Sequence, residues 1–398
     1  MIPYGRHHID ERDIAAVVEV LRNGALTQGP VISAFERALA QRVGAKFAVA
    51  VSSGTAALHL ACLAAGIGRD NAVVTSPNTF VASANCALYV GATPMFSDID
   101  PDTLNITLGS AFPMSIEAGR KSAIIPVHFG GLPCDMRAIH AAKPNPDAVI
   151  IEDASHALGA MYDDGSQVGS CRYSNMTVFS FHPVKLIAAG EGGMITTNDE
   201  GLYLKLLRLR SHGITRDDSD FLNRDRAFCD GELNPWYYEM QELGYNYRIT
   251  DIQCALALSQ LEKLDAILRR RREIAAQYDA AFREIEFITL PQSTGRHLSA
   301  NHLYVLRMNF KAIGMHRAQV MKRLAELGVG SQVHYIPVHF HPQYQALGFE
   351  FGSYPEAEKY YEEAITIPLF YGMSDEDVAI VIAAVKEVTS CEKSTVLE

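Results

Sequence analysis

Short apolar runs alternate with helix-length segments through the first 250 residues, and this alternation limits the possible folds more than any other feature of the sequence. Runs of about five apolar residues are typical of strands that are buried on both faces of a sheet. Strands separated by helices favour an α/β fold, with a mostly parallel sheet between two layers of helices. The predicted strands span residues 47–51, 73–75, 122–127, 148–151, 176–181 and 194–197. Ligands of such sheets bind at the loops after the strands' carboxyl ends.

The pattern changes after residue 250. Residues 251–285 carry apolar side chains at helical spacing and predict one long helix, whose basic stretch at 269–272 is interpreted as a solvated face. A strand at 303–308 and helices at 316–327 and 375–388 follow. We therefore predict a large domain with an N-terminal segment over residues 1–250, and a linking helix with a smaller α/β domain over residues 251–398.

Composition excludes several classes of protein. The formal net charge of −11 argues against a nucleic-acid partner bound through a diffuse basic face. No apolar stretch approaches the roughly 18 residues of a membrane span, and the N-terminus lacks the apolar segment of a signal peptide. The seven cysteines are scattered and form no C-x-x-C pair, which favours a reducing compartment. We expect a cytoplasmic protein without nucleic-acid or membrane partners.

The loops after two predicted strands carry a glycine turn and a pair of acids. Residues 51–57 form a glycine-containing turn that opens a helix, which suits a phosphate, although a plain N-cap at Ser53 or Thr55 is an alternative. Residues 150–156 end a strand with Glu152 and Asp153, and a carboxylate there can pair with a protonated ring nitrogen. The alternatives are an N-cap at Asp153 and a Ser-His-Asp triad with Ser180, which no G-x-S-x-G motif supports.

Lys185 stands between a predicted buried strand and the glycine pair of residues 192–193. Partial burial lowers the pKa of an amine and keeps it nucleophilic, as an imine-forming lysine requires, whereas a surface lysine in a loop is the alternative. Residues 244–248 add a glycine and two aromatic residues around Asn246. Neither a G-x-G-x-x-G nor a P-loop motif is present, so the common nucleotide folds are not expected.

Together these segments supply a phosphate turn, an acid for a pyridine nitrogen and an amine for a Schiff base, which are the requirements of pyridoxal 5'-phosphate. The sequence resembles the DegT/DnrJ/EryC1/StrS family of sugar aminotransferases, a branch of the fold-type I pyridoxal-phosphate enzymes. The resemblance covers nearly the whole chain. It rests most on SSGTAALHLA from Ser52, SPNTFVASAN from Ser76, EDASHALGA from Glu152, FSFHPVK from Phe179 and GYNYRITDIQCAL from Gly244. It implies a seven-stranded sheet between helices, a smaller C-terminal α/β domain and a homodimer.

The resemblance also implies a role for each matching residue. Lys185 would hold the cofactor as a Schiff base and transfer protons, and Asp153 would pair with the ring nitrogen. Phe80 would stack on the ring and His156 would lie beside its hydroxyl. The implied phosphate contacts are Gly54, Thr55, Ser180 and, from the neighbouring subunit, Asn246. The implied sugar-nucleotide contacts are Tyr4, Gly24, Ala25, Leu26, Thr27, His334, Tyr335, Ile336 and Pro337.

Within the family, the sequence is most similar to members that act in pseudaminic acid synthesis. That resemblance implies transfer of an amino group from L-glutamate to the C4 ketone of a UDP-linked 4-keto-6-deoxy-N-acetylhexosamine, with pyridoxamine 5'-phosphate between the half-reactions. Members of the GDP-perosamine type are an alternative, and a catalytically silent binding protein is a more remote one. Related dehydratases replace the Schiff-base lysine with histidine, so Lys185 argues against that activity.

Two further features bear on the site. Family members often carry threonines before the GEGG motif, whereas this chain has Ala188 and Ala189, a change that could loosen a cofactor or loop contact. His334, His339 and His341 invite a metal interpretation, but their spacing matches no standard zinc pattern. No metal is expected.

Overall fold

A computed structural model describes residues 1–107 and 122–390 of the 398-residue chain. One sheet of seven strands dominates the described part. Its strands are β1 (Phe47–Val51), β2 (Ala72–Thr75), β3 (Thr93–Phe96), β4 (Ser122–Ile125), β5 (Val149–Asp153), β6 (Met176–Ser180) and β7 (Gly193–Thr197). The shorter strands are β8 (Ile214–Thr215), β9 (Phe228–Cys229), β10 (Glu232–Leu233), β11 (Glu239–Met240), β12 (Ile288–Thr289), β13 (Tyr304–Met308) and β14 (Ala364–Ile367).

Helices surround the sheet and make up most of the C-terminal part. Those before residue 250 are α1 (Glu11–Asn23), α2 (Pro30–Val43), α3 (Gly54–Ala64), α4 (Ala82–Tyr89), α5 (Met136–Ala141), α6 (Glu200–Arg210) and α7 (Arg224–Ala227). Those after it are α8 (Asp251–Glu262), α9 (Leu264–Phe282), α10 (Phe310–Ile313), α11 (Arg317–Glu326), α12 (Pro342–Gln345), α13 (Pro355–Glu363) and α14 (Asp375–Thr389).

The seven strands are arranged in the order β1-β7-β6-β5-β4-β2-β3. Only β7 runs antiparallel to its neighbours, so the carboxyl ends of the other six strands meet at one edge. The predicted α/β class and mostly parallel sheet are confirmed. The sequence pattern missed β3, a strand at the sheet's edge, because its proline and partly exposed side chains weaken the apolar signal.

Successive residues of the central strands face opposite layers of helices, as the two-residue period of a strand requires. Ile150 of β5 belongs to the hydrophobic cluster that contains residues of α2 and α8. Ile151 belongs to the cluster that contains residues of α3 and α4. Burial on both sides explains why these strands are continuous apolar runs in the sequence.

A third hydrophobic cluster joins α9, α11 and α14 to the three-stranded sheet β12-β13-β14. Helix α9 contributes to two clusters. Ile267 belongs to the cluster that contains α2 and α8, and Tyr278 belongs to this third cluster. The division of the chain at residue 250 stays a prediction.

The prediction of one long helix over residues 251–285 is wrong. The chain forms α8 and α9, and Lys263 stands between them with φ −94° and ψ −2°. The Lys263 ammonium forms ion pairs with Asp10 at 3.0 Å and with Asp13 at 2.5 Å, both beside the start of α1. These partners lie about 250 residues away in the sequence, and no glycine or proline marks the break.

The interpretation of residues 269–272 as a solvated face is also wrong in part. Arg271 is buried, and its guanidinium donates to the carbonyl oxygens of Asn301, His302 and Leu369 at 2.8–3.2 Å. It therefore ties α9 to two loops of the C-terminal part.

Within the described ranges, no helix is long and apolar enough to cross a bilayer. Five of the six cysteines in those ranges are buried, and Cys229 is exposed. Cys391 lies outside the described residues.

Candidate active site

A pocket of about 410 Å³ opens at the edge where the carboxyl ends of the parallel strands meet. Loops after β1, β2, β5 and β6 line it, together with a segment from the C-terminal part. Ten of the residues predicted for the site line this pocket: Tyr4, Gly54, Thr55, Phe80, Asp153, His156, Ser180, Lys185, His334 and Tyr335. Residues far apart in the sequence thus meet where the strand order predicts a ligand.

The first turn of α3 forms one wall. Ser53 is the N-cap, and its hydroxyl accepts a hydrogen bond from the Ala56 amide at 3.1 Å. The Gly54 and Thr55 amides lie in the first turn, where a helix leaves its N–H groups without intrahelical partners. A Cβ added at Gly54 would lie 2.9 Å from Ser180 Cβ, so only glycine allows this approach. The N-cap and the phosphate turn are therefore compatible, because they use different groups.

Asp153 ends β5 at the base of the pocket and is 5% exposed. One carboxylate oxygen accepts from the Ser83 hydroxyl at 2.7 Å, and the other accepts from the Ser155 amide at 3.1 Å. No helix starts after Asp153, so the N-cap alternative does not apply. Within the described residues, His156 hydrogen-bonds neither Asp153 nor Ser180, and a Ser-His-Asp triad is not formed.

Lys185 lies in the pocket rather than on an open surface. Burial lowers the pKa of its amine from 10.5 to about 8, against the opposing effect of the Asp153 charge. No hydrogen bond contributes to that shift. The pocket therefore holds an amine that is partly unprotonated near neutral pH, as a nucleophile requires.

His156 and Tyr335 share a hydrogen bond across the pocket. The distance from His156 Nε2 to the Tyr335 hydroxyl oxygen is 3.2 Å. The other ring nitrogen, Nδ1, accepts from the Gly130 amide at 3.3 Å. Burial, and then the charges of Lys185 and His334, hold the pKa of His156 well below its usual value, so the ring is neutral.

Aromatic rings form the rim. Phe80 is 57% exposed, and its ring centroid lies 6.1 Å from that of Tyr335. The Tyr4 and His334 centroids lie 5.4 Å apart. His334 is buried, with Nδ1 2.9 Å from the Thr366 hydroxyl, and burial followed by the Lys185 charge lowers its pKa to about 4.

The remaining predicted residues do not line this pocket in the single chain. Ile336 and Pro337 follow Tyr335, and the next amide, of Val338, donates to the Pro77 carbonyl at 2.9 Å. Residues 24–27 follow α1, and Leu26 is 53% exposed. Asn246 is exposed, and its backbone forms an isolated antiparallel β-bridge with Ser211. Their predicted roles stay predictions.

Sequence reasoning missed several polar residues of the site. Ser83 was not predicted, although it donates to Asp153 and stands inside the SPNTFVASAN motif. Its position one helical turn after Thr79, whose hydroxyl it contacts, was the available signal. Thr79, His182 and Glu191 also line the pocket.

Glu152 is buried and accepts hydrogen bonds from Ser174, Thr177 and His128 at 2.5, 2.9 and 2.8 Å. Its carboxylate makes these contacts away from the pocket, which it does not line. Of the two acids at the end of β5, only Asp153 is therefore available to a ligand.

Ala188 and Ala189 are buried, and Ala189 packs in the hydrophobic cluster beneath the sheet. Neither lines the pocket. Among the residues described, no group of three or more histidines, cysteines and acids could hold a metal ion. Instead, His339 Nε2 lies 3.0 Å from a Glu358 oxygen.

The pocket suits the groups of pyridoxal phosphate. A buried carboxylate, an amine of lowered pKa and the free amides of a helix start surround one space, which matches a ring nitrogen, an aldehyde and a phosphate. The glycine at residue 54 leaves the helix start open to an anion.

Comparison with known proteins agrees with this fold and site. The profile of the DegT/DnrJ/EryC1/StrS aminotransferase family matches residues 7–386, and the chain belongs to this family. It is therefore an enzyme of a sugar aminotransferase family, with the fold-type I architecture.

Individual relatives cover almost the whole chain. Spore coat polysaccharide biosynthesis protein SpsC of Bacillus subtilis (strain 168) is 42% identical over 394 residues, 97% of each chain. Helicobacter pylori PseC, an aminotransferase involved in the biosynthesis of pseudoaminic acid, superposes with a TM-score of 0.86 at 31% identity, over 98% of this chain and 99% of that one. The putative sugar aminotransferase Spr1654 of Streptococcus pneumoniae, in its PLP form, gives a TM-score of 0.85 at 30% identity, over 98% of each chain.

Proposed function

We propose that this chain is a pyridoxal-phosphate aminotransferase that moves the amino group of L-glutamate to the C4 ketone of a UDP-linked 4-keto-6-deoxy-N-acetylhexosamine. The products would be 2-oxoglutarate and UDP-4-amino-4,6-dideoxy-N-acetyl-β-L-altrosamine, of the pseudaminic acid pathway. The observation that carries the proposal is the Lys185 amine facing the buried Asp153 carboxylate in one pocket. The similarity to PseC over nearly the whole chain supports the choice of sugar. We place the enzyme in the cytoplasm, as a homodimer.

The cofactor would be held at three points. Gly54, Thr55 and Ser180 would bind the phosphate, with Asn246 of a second copy. Two hydrogen bonds already orient the buried Asp153 carboxylate. Its negative charge would pair with the ring nitrogen and hold the proton there. When bound, pyridoxal phosphate supplies an electron sink that stabilises negative charge on the donor's α-carbon.

Lys185 would provide both covalent attachment and proton transfer. Because its pKa is about 8, its amine is available to take a proton near neutral pH. Lys185 Nζ would carry a proton from the α-carbon of L-glutamate to the cofactor in the first half-reaction. In the second, it would carry a proton from the cofactor to C4 of the sugar.

The rim would bind the sugar nucleotide. Tyr4, residues 24–27 and residues 334–337 are the proposed contacts, and Phe80 would cover the cofactor ring.

A second candidate is amination of another 4-keto sugar nucleotide, including the GDP-linked substrate of perosamine-type enzymes. The observation that favours it is the greater identity to SpsC, 42%, than to PseC, 31%. The name of SpsC connects it with a spore coat polysaccharide rather than with pseudaminic acid.

A labelled-donor assay separates these candidates. The protein loaded with pyridoxal phosphate is given ¹⁵N-labelled L-glutamate and either the UDP-linked or the GDP-linked 4-keto-6-deoxy sugar, and the products are identified by mass spectrometry. Label in the UDP-linked amino sugar alone is expected. Label only in the GDP-linked product would favour the second candidate, and label in neither would refute the proposed function.

A further inference from the structure

The hydrogen bonds around His156 fix the direction in which its protons point. The Gly130 amide can only donate, so His156 Nδ1, 3.3 Å away, must accept. A neutral imidazole carries one N–H, which then belongs to Nε2. That N–H points at the Tyr335 hydroxyl oxygen, 3.2 Å away, and donates to it.

The backbone beside His156 is built for this contact. Gly130 and Gly131 adopt φ values of 64° and 104°, in the region that favours glycine. A Cβ added at Gly131 would lie 2.9 Å from the His156 carbonyl oxygen. The glycine pair therefore brings a free amide against the imidazole and holds its tautomer.

Tyr335 consequently has a hydroxyl proton without a protein acceptor. Its oxygen accepts the hydrogen bond from His156 Nε2–H, and no other hydrogen bond of this hydroxyl occurs within the described residues. Tyr335 lines the pocket, so its O–H is available to a bound molecule. A hydroxyl that receives a hydrogen bond also becomes a better donor, because such chains polarise one another.

We propose that Tyr335 donates a hydrogen bond to the ring oxygen of the bound pyridoxal group, with His156 as the residue that positions it. This inference rests on the proposed function, since it requires the cofactor. It assigns Tyr335 to the cofactor, in place of the sugar-nucleotide contact that the family resemblance implies and that is proposed above for residues 334–337. The acceptor is an oxygen that carries negative charge, for which a phenol is a strong partner.

Other titratable groups face the same space. The titratable residues that line the pocket with Tyr335 are Tyr4, Asp153, His156, His182, Lys185, Glu191 and His334. His302 packs behind His156 with ring centroids 4.4 Å apart, and burial holds its pKa well below the usual value. The neutral histidines offer no competing charge to the ring oxygen, which leaves the Tyr335 hydroxyl as its hydrogen-bond donor from this side.

The test is a pH titration of the absorbance of the bound cofactor, without any substrate. The donated hydrogen bond stabilises negative charge on the ring oxygen. Its loss would therefore raise the pKa of the nitrogen that joins Lys185 to the cofactor, because the proton on that nitrogen lies beside the same oxygen. Tyr335→Phe should therefore raise the midpoint by about one pH unit. His156→Gln should keep the wild-type midpoint, because an amide can accept from Gly130 and donate to Tyr335. His156→Leu should move it part of the way.

Tyr361→Phe is the matched control, because this ring lies beside Arg317, outside the pocket, and its midpoint should not move. Thermal melting of each variant checks that it folds. An unchanged midpoint in Tyr335→Phe would overturn the inference. A raised KM for the sugar nucleotide with an unchanged midpoint would also overturn it, in favour of a sugar contact. A wild-type protein that takes up no pyridoxal phosphate would instead refute the proposed function.

Discussion

The two sides of the pocket are built differently. The side proposed for the cofactor comes from the loops after several strands of one sheet. Its groups already contact one another, since the Ser83 hydroxyl donates to Asp153 at 2.7 Å. The side proposed for the sugar combines the N-terminal Tyr4 with a segment around His334 from the C-terminal part. Residues 24–27 and Asn246 do not reach the pocket of their own chain. The cofactor side is thus organised within one chain, whereas the sugar side depends on distant segments and, as we propose, on a second copy.

Removing the amine should have the largest effect on the cofactor side. Lys185→Ala should lower turnover by at least about 10⁴-fold, because both covalent attachment and proton transfer are lost. Lys322→Ala, at an exposed position on α11, is the control and should retain full activity. Steady-state assay with L-glutamate and the UDP-linked sugar measures the difference, and appreciable turnover by Lys185→Ala would contradict the assignment.

Neutralising the carboxylate should come next. Asp153→Asn keeps the shape of the side chain but cannot hold a proton on the ring nitrogen, so kcat should fall by about 10²–10⁴-fold while cofactor still binds. Asp225→Asn, at an exposed position, should behave as wild type. Near-normal kcat in Asp153→Asn would show that the contact with the ring nitrogen is not needed.

A mixed-subunit experiment tests whether the two copies share the site. Lys185→Ala and Asn246→Ala should each be nearly inactive alone. Mixed and re-equilibrated in equal amounts, they should recover about a quarter of wild-type activity, because half of the dimers are hybrids with one intact site each. If Asn246 served its own chain, mixing would recover nothing.

The phosphate turn should respond to a single methyl group. Gly54→Ala would bring a Cβ within 2.9 Å of Ser180 Cβ and push the helix start away from the phosphate. The dissociation constant for pyridoxal phosphate should rise about tenfold, which corresponds to about 1.4 kcal/mol. In Gly68→Ala, the added Cβ meets nothing closer than 4.0 Å, and the affinity should not change.

The smallest expected effect is on the pH dependence of cofactor capture. The unprotonated amine is the reactive form, so capture by the cofactor-free protein should speed up as pH rises through the Lys185 pKa of about 8. Between pH 7 and pH 8 the unprotonated fraction rises about fivefold. Stopped-flow absorbance measures this rate, and a rise centred near the ordinary value of 10.5 would contradict the burial of the amine.

The sequence was sufficient for the parts of the molecule that depend on local pattern. Buried strands are apolar runs, and Gly54, Asp153 and Lys185 stand just after them, so their meeting at one edge follows from a parallel sheet. The sequence was not sufficient where distant partners decide. The helix break at Lys263 depends on two acids near residue 10, and the burial of Arg271 depends on carbonyls of separate loops.

The same limit applies within the site. The Ser83 contact with Asp153 and the Tyr335 contact with His156 join residues 70 and 179 positions apart. No local pattern specifies such pairs, although the motif that contains Ser83 was itself recognisable. The roles of residues on the sugar side likewise depend on how separate segments, and a second copy, come together.

The most direct test of the central claim is to trap the cofactor on the protein. The purified protein is loaded with pyridoxal phosphate, its absorbance is recorded before and after L-glutamate, and a borohydride-reduced sample is mapped by mass spectrometry. The account predicts a band near the visible edge that L-glutamate bleaches, and a reduced adduct on Lys185. A protein that binds no pyridoxal phosphate, or an adduct on another lysine, would contradict it.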